Sequence, residues 1–90
     1  MSHSIYIADD ERNIRALIKS FLESDGYEVS AFETGDELKA AFDEKPADLV
    51  ILDIMMPGTD GLTVLRETRA LGITTPALFL TAKAEIEDRV

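Results

Sequence analysis

Three apolar runs of this sequence each end in side chains able to do chemistry. Ile5-Tyr6-Ile7-Ala8 leads into Asp9-Asp10-Glu11, Leu49-Val50-Ile51-Leu52 into Asp53, and Ala77-Leu78-Phe79-Leu80 into Thr81-Ala82-Lys83. Each has an ordinary explanation: Asp favours turns, Asp caps helices, and Thr81 could simply end its run. The coincidence of all three is harder to dismiss. Gathered carboxylates repel, so such a cluster needs a counterion or must hold protons at neutral pH. The chain has no Cys, and its one histidine, His3, lies at the terminus. A hard divalent cation with oxygen ligands therefore suits the cluster, Mg2+ ahead of Zn2+. A carboxylate beside such a cation can attack phosphorus and become an acyl phosphate. A nearby hydroxyl or ammonium can bind the remaining phosphoryl oxygens.

Whether these groups meet depends on the elements that carry them. Ser4 to Ala8 reads as a buried strand, rich in β-branched and aromatic residues. From Asn13, the residues Ile14, Leu17, Ile18, Phe21 and Leu22 fall at helical spacing on one face, with Arg15, Lys19 and Glu23 opposite. Gly26 ends that helix, and Tyr27 to Phe32 alternates as a strand near a sheet edge would. Thr34-Gly35-Asp36-Glu37 is a capping box opening a helix that turns Leu38, Ala41 and Phe42 inward and stops before Pro46. Leu49 to Leu52 is the third strand. Asp60-Gly61 starts a third helix, with Leu62, Leu65 and Arg69 on alternate turns and an end at Gly72. Pro76 leads into a fourth strand, Ala77 to Leu80, and Ala84 to Val90 begins a fourth helix.

Strand and helix alternate through short connections, which implies a parallel sheet with helical crossovers: an α/β, doubly wound fold. In such a sheet every strand's carboxyl end lies on one edge, where ligands bind. The pattern thus delivers Asp9, Asp10, Asp53 and Thr81 to one crevice.

Bulk properties narrow the function classes. Ninety residues make one small domain, residues 1–90. The net charge of −9 argues against a nucleic-acid surface. No apolar run approaches the roughly 20 residues of a membrane span. The start, Met1-Ser2-His3-Ser4, lacks the features of a secretory signal, which leaves the cytoplasm as the default.

Together the stretches Ile5 to Glu11, Leu52 to Gly61 and Leu78 to Lys83 resemble the receiver domain of two-component response regulators, along the whole chain in order and spacing. The tail from Thr81 to Val90 is similar to receivers that precede a winged-helix DNA-binding domain. The resemblance implies a flavodoxin-like fold and a role for each matching residue. Asp53 would accept a phosphoryl group from a sensor histidine kinase. Asp10, Asp53 and the backbone carbonyl of Met55 would bind Mg2+, with Asp9 helping through water. Thr81 would be the switch hydroxyl, Ala82 would leave room for the phosphoryl group, and Pro57 and Gly58 would shape the loop. Met55 and Lys83 match positions that tune hydrolysis of the aspartyl phosphate. At most, such a domain catalyses its own phosphorylation and dephosphorylation.

Two departures from the family pattern matter. Family members continue through a fifth strand, whose terminal lysine pairs with the phosphoryl group, and a fifth helix; here the sequence stops inside the fourth helix, and Lys19, Lys39, Lys45 and Lys83 are the only lysines. The fourth strand would then become an open edge, which invites pairing with another chain, and the first helix would lose part of the apolar cover that the fifth helix gives it in the family. Leaving roughly 400 Å² of apolar surface wet would cost on the order of 10 kcal/mol, comparable with the whole stability of a small domain. The expectation is a homo-oligomer through that edge. A second reading is a receiver fragment that no longer transfers phosphate and acts as a binding or oligomerisation module. A third, a phosphatase of the haloacid-dehalogenase type, is disfavoured because Ile54-Met55 follow Asp53 where a second acid is needed.

Overall fold

The structure is a computed structural model that describes residues 3–56 and 58–80. Pro57, Thr81, Ala82, Lys83 and the expected fourth helix lie outside the described residues. The elements run β1 (Ser4–Ala8), α1 (Arg12–Ser24), β2 (Glu28–Phe32), α2 (Gly35–Glu44), β3 (Leu49–Asp53), α3 (Gly61–Ala70) and β4 (Ala77–Leu80). All pairings are parallel, in the order β2-β1-β3-β4. This is the expected doubly wound sheet, reversing direction between β1 and β3. No helix among the described residues is long and apolar enough to cross a membrane.

Register sorts the side chains onto two faces, since parallel partners point the same way. On one face Tyr6, Ala8, Val50 and Leu52 pack with Leu38 of α2 and Val64 of α3. There the Tyr6 ring sits edge-on to Phe32 and Phe42, and its hydroxyl donates to the Lys45 carbonyl (2.6 Å), satisfying the end of α2. On the other face Ile5, Ile7, Val29 and Ile51 pack, among the described residues, against Ile18 and Leu22 of α1, with Leu49 and Leu80 of the strands beside them.

α2 starts on the expected cap: Thr34 Oγ1 accepts from the Glu37 amide (3.2 Å). The Glu37 carboxylate reaches back one residue further than a standard capping box, accepting from the Glu33 amide (2.9 Å).

Two helix faces differ from the sequence reading. In α1, Ile18 and Leu22 are half-buried, whereas Ile14, Leu17 and Phe21 are exposed. Five apolar positions span a wider arc than the sheet covers. Arg15, expected to be solvated, is half-buried and donates to the Asp9 carbonyl (2.7 Å). In α3 the buried positions are Gly61, Val64 and Thr68; Leu62 is exposed, and Arg69 is exposed and donates to the Ile73 carbonyl (2.9 Å). Leu65 is half-buried against the core as expected, while Leu62 and Arg69 are not; the close seating of Gly61 on Asp53 turns Val64 and Thr68 inward instead. Finally, β4 is an outer strand among the described residues and is only partly buried, with Leu78 exposed, although its composition suggests an interior strand.

Candidate metal and phosphoacceptor site

The β1–β3 register ends with Ala8 opposite Leu52, so the next residues on each strand, Asp9 and Asp53, leave the sheet side by side. Asp10 follows in the loop before α1. One carboxylate oxygen from each of Asp9, Asp10 and Asp53 lies within 4.8 Å of the others. Asp9 is 2% exposed. Its Oδ1 accepts from the Glu11 amide (2.8 Å), which pins the turn into α1. Glu11 itself is the N-cap of α1 and makes no side-chain capping bond, so neither aspartate is used as that cap. The acids are not explained away as helix signals.

Asp53 is held from the other side. Its Oδ1 accepts from the Met55 amide (3.1 Å) as the chain turns away from β3. Gly58, with φ of +79°, carries that loop through the left-handed region open to glycine. The Gly61 amide closes it on the Ile54 carbonyl (3.0 Å). Gly61 is a positioning residue that the sequence reading missed. A Cβ there would run into the Asp53 carbonyl group and come within 3.1 Å of the Ile54 Cα. Asp60 beside it caps α3, accepting from the Thr63 amide (2.8 Å), and that bond holds its carboxyl below the usual range. The Asp-Gly pair was visible in the sequence as a helix start; its contact with the acceptor strand was not.

Electrostatics at Asp53 reflect crowding. Burial pushes its carboxyl above the usual carboxylate range; the Met55 amide opposes this, and the neighbouring Asp9 and Asp10 reinforce it. Among the described residues, none of the ion pairs involves these three acids. The Arg15 guanidinium serves the Asp9 backbone, not its carboxylate. Lys19 pairs with Glu23, and Lys39 with Glu67 and Asp36. An all-oxygen donor set with excess negative charge and, among the described residues, no protein cation paired to it fits a hard divalent metal. His3 lies at the opposite end of the strands, 3.5 Å from Asp48.

The remaining expected groups follow β4. Leu80 is the register partner of Asp53, and its carbonyl accepts from the Ile54 amide (3.4 Å). Thr81 and Lys83 themselves lie outside the described residues. Met55 is exposed beside Asp53.

Comparison with known proteins agrees with this arrangement. The profile of the response regulator receiver domain matches residues 5–90. The chain is 45% identical over 86 residues to the transcriptional regulatory protein ResD of Bacillus subtilis, covering 96% of this chain and 35% of ResD. It is 43% identical to the alkaline phosphatase synthesis transcriptional regulatory protein PhoP of the same organism, covering 100% of this chain and 38% of PhoP. Against such curated relatives the chain spans roughly a third to two fifths of their length. Among solved structures, the response regulator TrrA of Thermotoga maritima, solved in complex with Mg2+ and BeF, superposes with a TM-score of 0.85 at 40% identity, over 100% of this chain and 77% of TrrA. The Francisella response regulator 1452 receiver domain gives 0.87 at 29% identity, over 97% and 72% of the two chains. A profile match across nearly the whole sequence and a structural relative of this identity lead to one conclusion: the chain belongs to the response regulator receiver domain family.

Proposed function

We propose that this domain takes a phosphoryl group onto Asp53 from the phosphohistidine of a sensor histidine kinase, with Mg2+ bound by Asp10, Asp53 and the Met55 carbonyl and by Asp9 through water. The observation that supports it is the convergence of three carboxylates, delivered by β1 and β3, with no protein cation paired to them among the described residues.

The residues divide the work. With the Met55 amide on Oδ1, Asp53 is oriented so that its other oxygen can attack phosphorus as the P–N bond to the imidazole breaks. The electron pair of that bond goes to the imidazole nitrogen, and Asp53 becomes an acyl phosphate. Asp9 and Asp10 concentrate negative charge where a cation is wanted, and Arg15 fixes the Asp9 backbone behind them. The bound ion would offset the charge of the carboxylates and of the phosphoryl oxygens. Thr81, next in sequence to the partner of Asp53, supplies the switch hydroxyl, and Lys83 tunes hydrolysis.

Incubation with acetyl phosphate and Mg2+, read by intact-mass spectrometry, tests this. The wild-type chain should gain one phosphoryl mass, while Asp53→Asn or omission of the divalent ion should abolish the gain. A wild-type chain that stays unmodified would instead favour the binding-module reading. That alternative draws support from the lysines, since Lys19 and Lys39 are engaged with acids on the helices, away from the site. A second copy of the chain is the other partner proposed. Among the described residues β4 is an outer strand of the sheet, and its outer side is the place proposed for such a contact.

A further inference from the structure

β1 ends at Ala8, yet the next residue stays tied to the sheet, for the Asp9 amide donates to the Phe32 carbonyl of β2 (3.1 Å). The carbonyl of Asp9 belongs to a residue that is 2% exposed, and a buried carbonyl needs a donor. That donor comes from α1: Arg15 Nη1 lies 2.7 Å from the Asp9 oxygen.

Two more bonds hold the same stretch. The Glu11 amide donates to Asp9 Oδ1 (2.8 Å), and the Arg15 amide donates to the Glu11 carbonyl (3.0 Å). Arg15 therefore grips the loop twice, by its backbone at Glu11 and by its guanidinium at Asp9. Between those two points sits Asp10, exposed and carrying one of the three clustered carboxylates. The peptide unit joining Asp9 to Asp10 is planar. Holding the Asp9 carbonyl thus orients the Asp10 amide too, and narrows the directions in which the Asp10 side chain can depart.

The target of the guanidinium matters as much as its reach. Arg15 is half-buried, and a charged donor makes a stronger hydrogen bond than a neutral one. Among the described residues it forms no ion pair with Asp9, Asp10 or Asp53. A guanidinium paired with one of those carboxylates would compete with a cation; one bonded to a carbonyl steadies the loop and leaves the acids their charge.

We infer that Arg15 is a positioning residue of the metal site, aligning Asp10 with Asp9 and Asp53 through the Asp9 carbonyl. This role rests on the reading of these acids as a Mg2+ site. Two effects of Arg15 on a cation have opposite signs. As a nearby positive charge it repels the ion, and its removal should tighten binding. As the support of the Asp9–Asp10 peptide it holds a ligand in place, and its removal should loosen binding. Partners that orient ligands typically change metal affinity by about 10–100-fold, whereas a single charge screened by solvent and salt changes it much less. Positioning is the larger effect.

Mg2+ titration followed by the amide shifts of Asp10 and Ile54 in nuclear magnetic resonance reads the affinity directly. Arg15→Ala should raise the half-saturating Mg2+ concentration roughly tenfold. Arg15→Lys, which can still donate to the carbonyl, should recover most of that loss. Arg12→Ala removes an equal charge from an exposed position on the same helix and should leave the affinity unchanged or slightly tighter. Acetyl-phosphate labelling of Arg15→Ala should need more Mg2+ yet approach the wild-type rate at saturation. Circular dichroism checks folding, and Arg15→Gln, with a neutral donor on a shorter stem, carries the comparison if the alanine variant is unfolded. An Arg15 variant without the charged donor that binds Mg2+ as tightly as the wild type, or more tightly, overturns this assignment. So does an equal loss in Arg12→Ala, which would make the effect a general property of the helix start. A wild type that binds no Mg2+ overturns it together with the metal site. A wild type that binds Mg2+ but takes no phosphoryl group removes the phosphoacceptor reading alone, and the titrations of the Arg15 variants still decide this one.

Discussion

The two faces of the sheet are built from similar strands yet finished differently. Under α2 and α3, Leu38 and Val64 are fully buried against Leu52 and Tyr6. On the other face α1 is the one helix among the described residues that packs on Ile7 and Ile51, and three of its five apolar residues are exposed there. Alternation of sequence explains both faces equally well. What distinguishes them, among the described residues, is how many helices pack on each. The face under α2 and α3 packs β1 and β3, the strands that deliver Asp9 and Asp53.

The comparison would be broken most directly by paired truncations. Leu38→Ala empties a site with no exposure and should destabilise the domain by about 3 kcal/mol. Leu17→Ala, measured on dilute protein, should change stability by less than about 0.5 kcal/mol. Chemical denaturation of both variants checks this, and equal losses would mean that α1 is as tightly packed as α2. Gly61→Ala comes next. Its methyl group meets the Asp53 carbonyl, and the overpacking should cost roughly 2 kcal/mol. The same change should slow acetyl-phosphate labelling more than Leu38→Ala does, because the displaced backbone carries the acceptor. Thr34→Ala removes the α2 cap and should cost about 1 kcal/mol, seen as a lower denaturation midpoint.

Much of this arrangement was readable before any coordinates, and the misreadings share a cause. Strand ends, the Thr34 cap and the delivery of Asp9, Asp10 and Asp53 to one edge follow from local pattern plus the handedness of parallel crossovers. Which residues α3 buries does not. Leu62 and Val64 are both apolar and near the helix start, and the choice between them depends on how closely Gly61 can approach the strand carrying Asp53. That distance is tertiary. For α1, amphipathicity shows that a face is apolar but not how much of it the described helices and strands cover. Arg15 was misjudged for the same reason: its partner is a backbone carbonyl that periodicity cannot register.

The smallest effect expected is a pH dependence localised to the site end of both faces. Burial and the two neighbouring carboxylates raise the Asp53 carboxyl above its ordinary value of 3.8. The folded state therefore binds that proton more tightly than the unfolded chain does. Stability from this group is fully present below the unfolded value and is lost as pH rises through the folded one. At neutral pH without divalent ions, Asp53 thus destabilises the domain, and Asp53→Asn should raise the melting temperature slightly. The gain should vanish in acid, where the wild-type carboxyl is protonated, and should shrink or reverse when Mg2+ is added, because only the wild type keeps the full set of charged ligands. Thermal melts of both proteins across this range, with and without Mg2+, check the sign. A wild type that gains stability from pH 4 to 7 relative to Asp53→Asn in the absence of metal would mean that the three carboxylates are not crowded, and the cation-seeking character of the site would go with them.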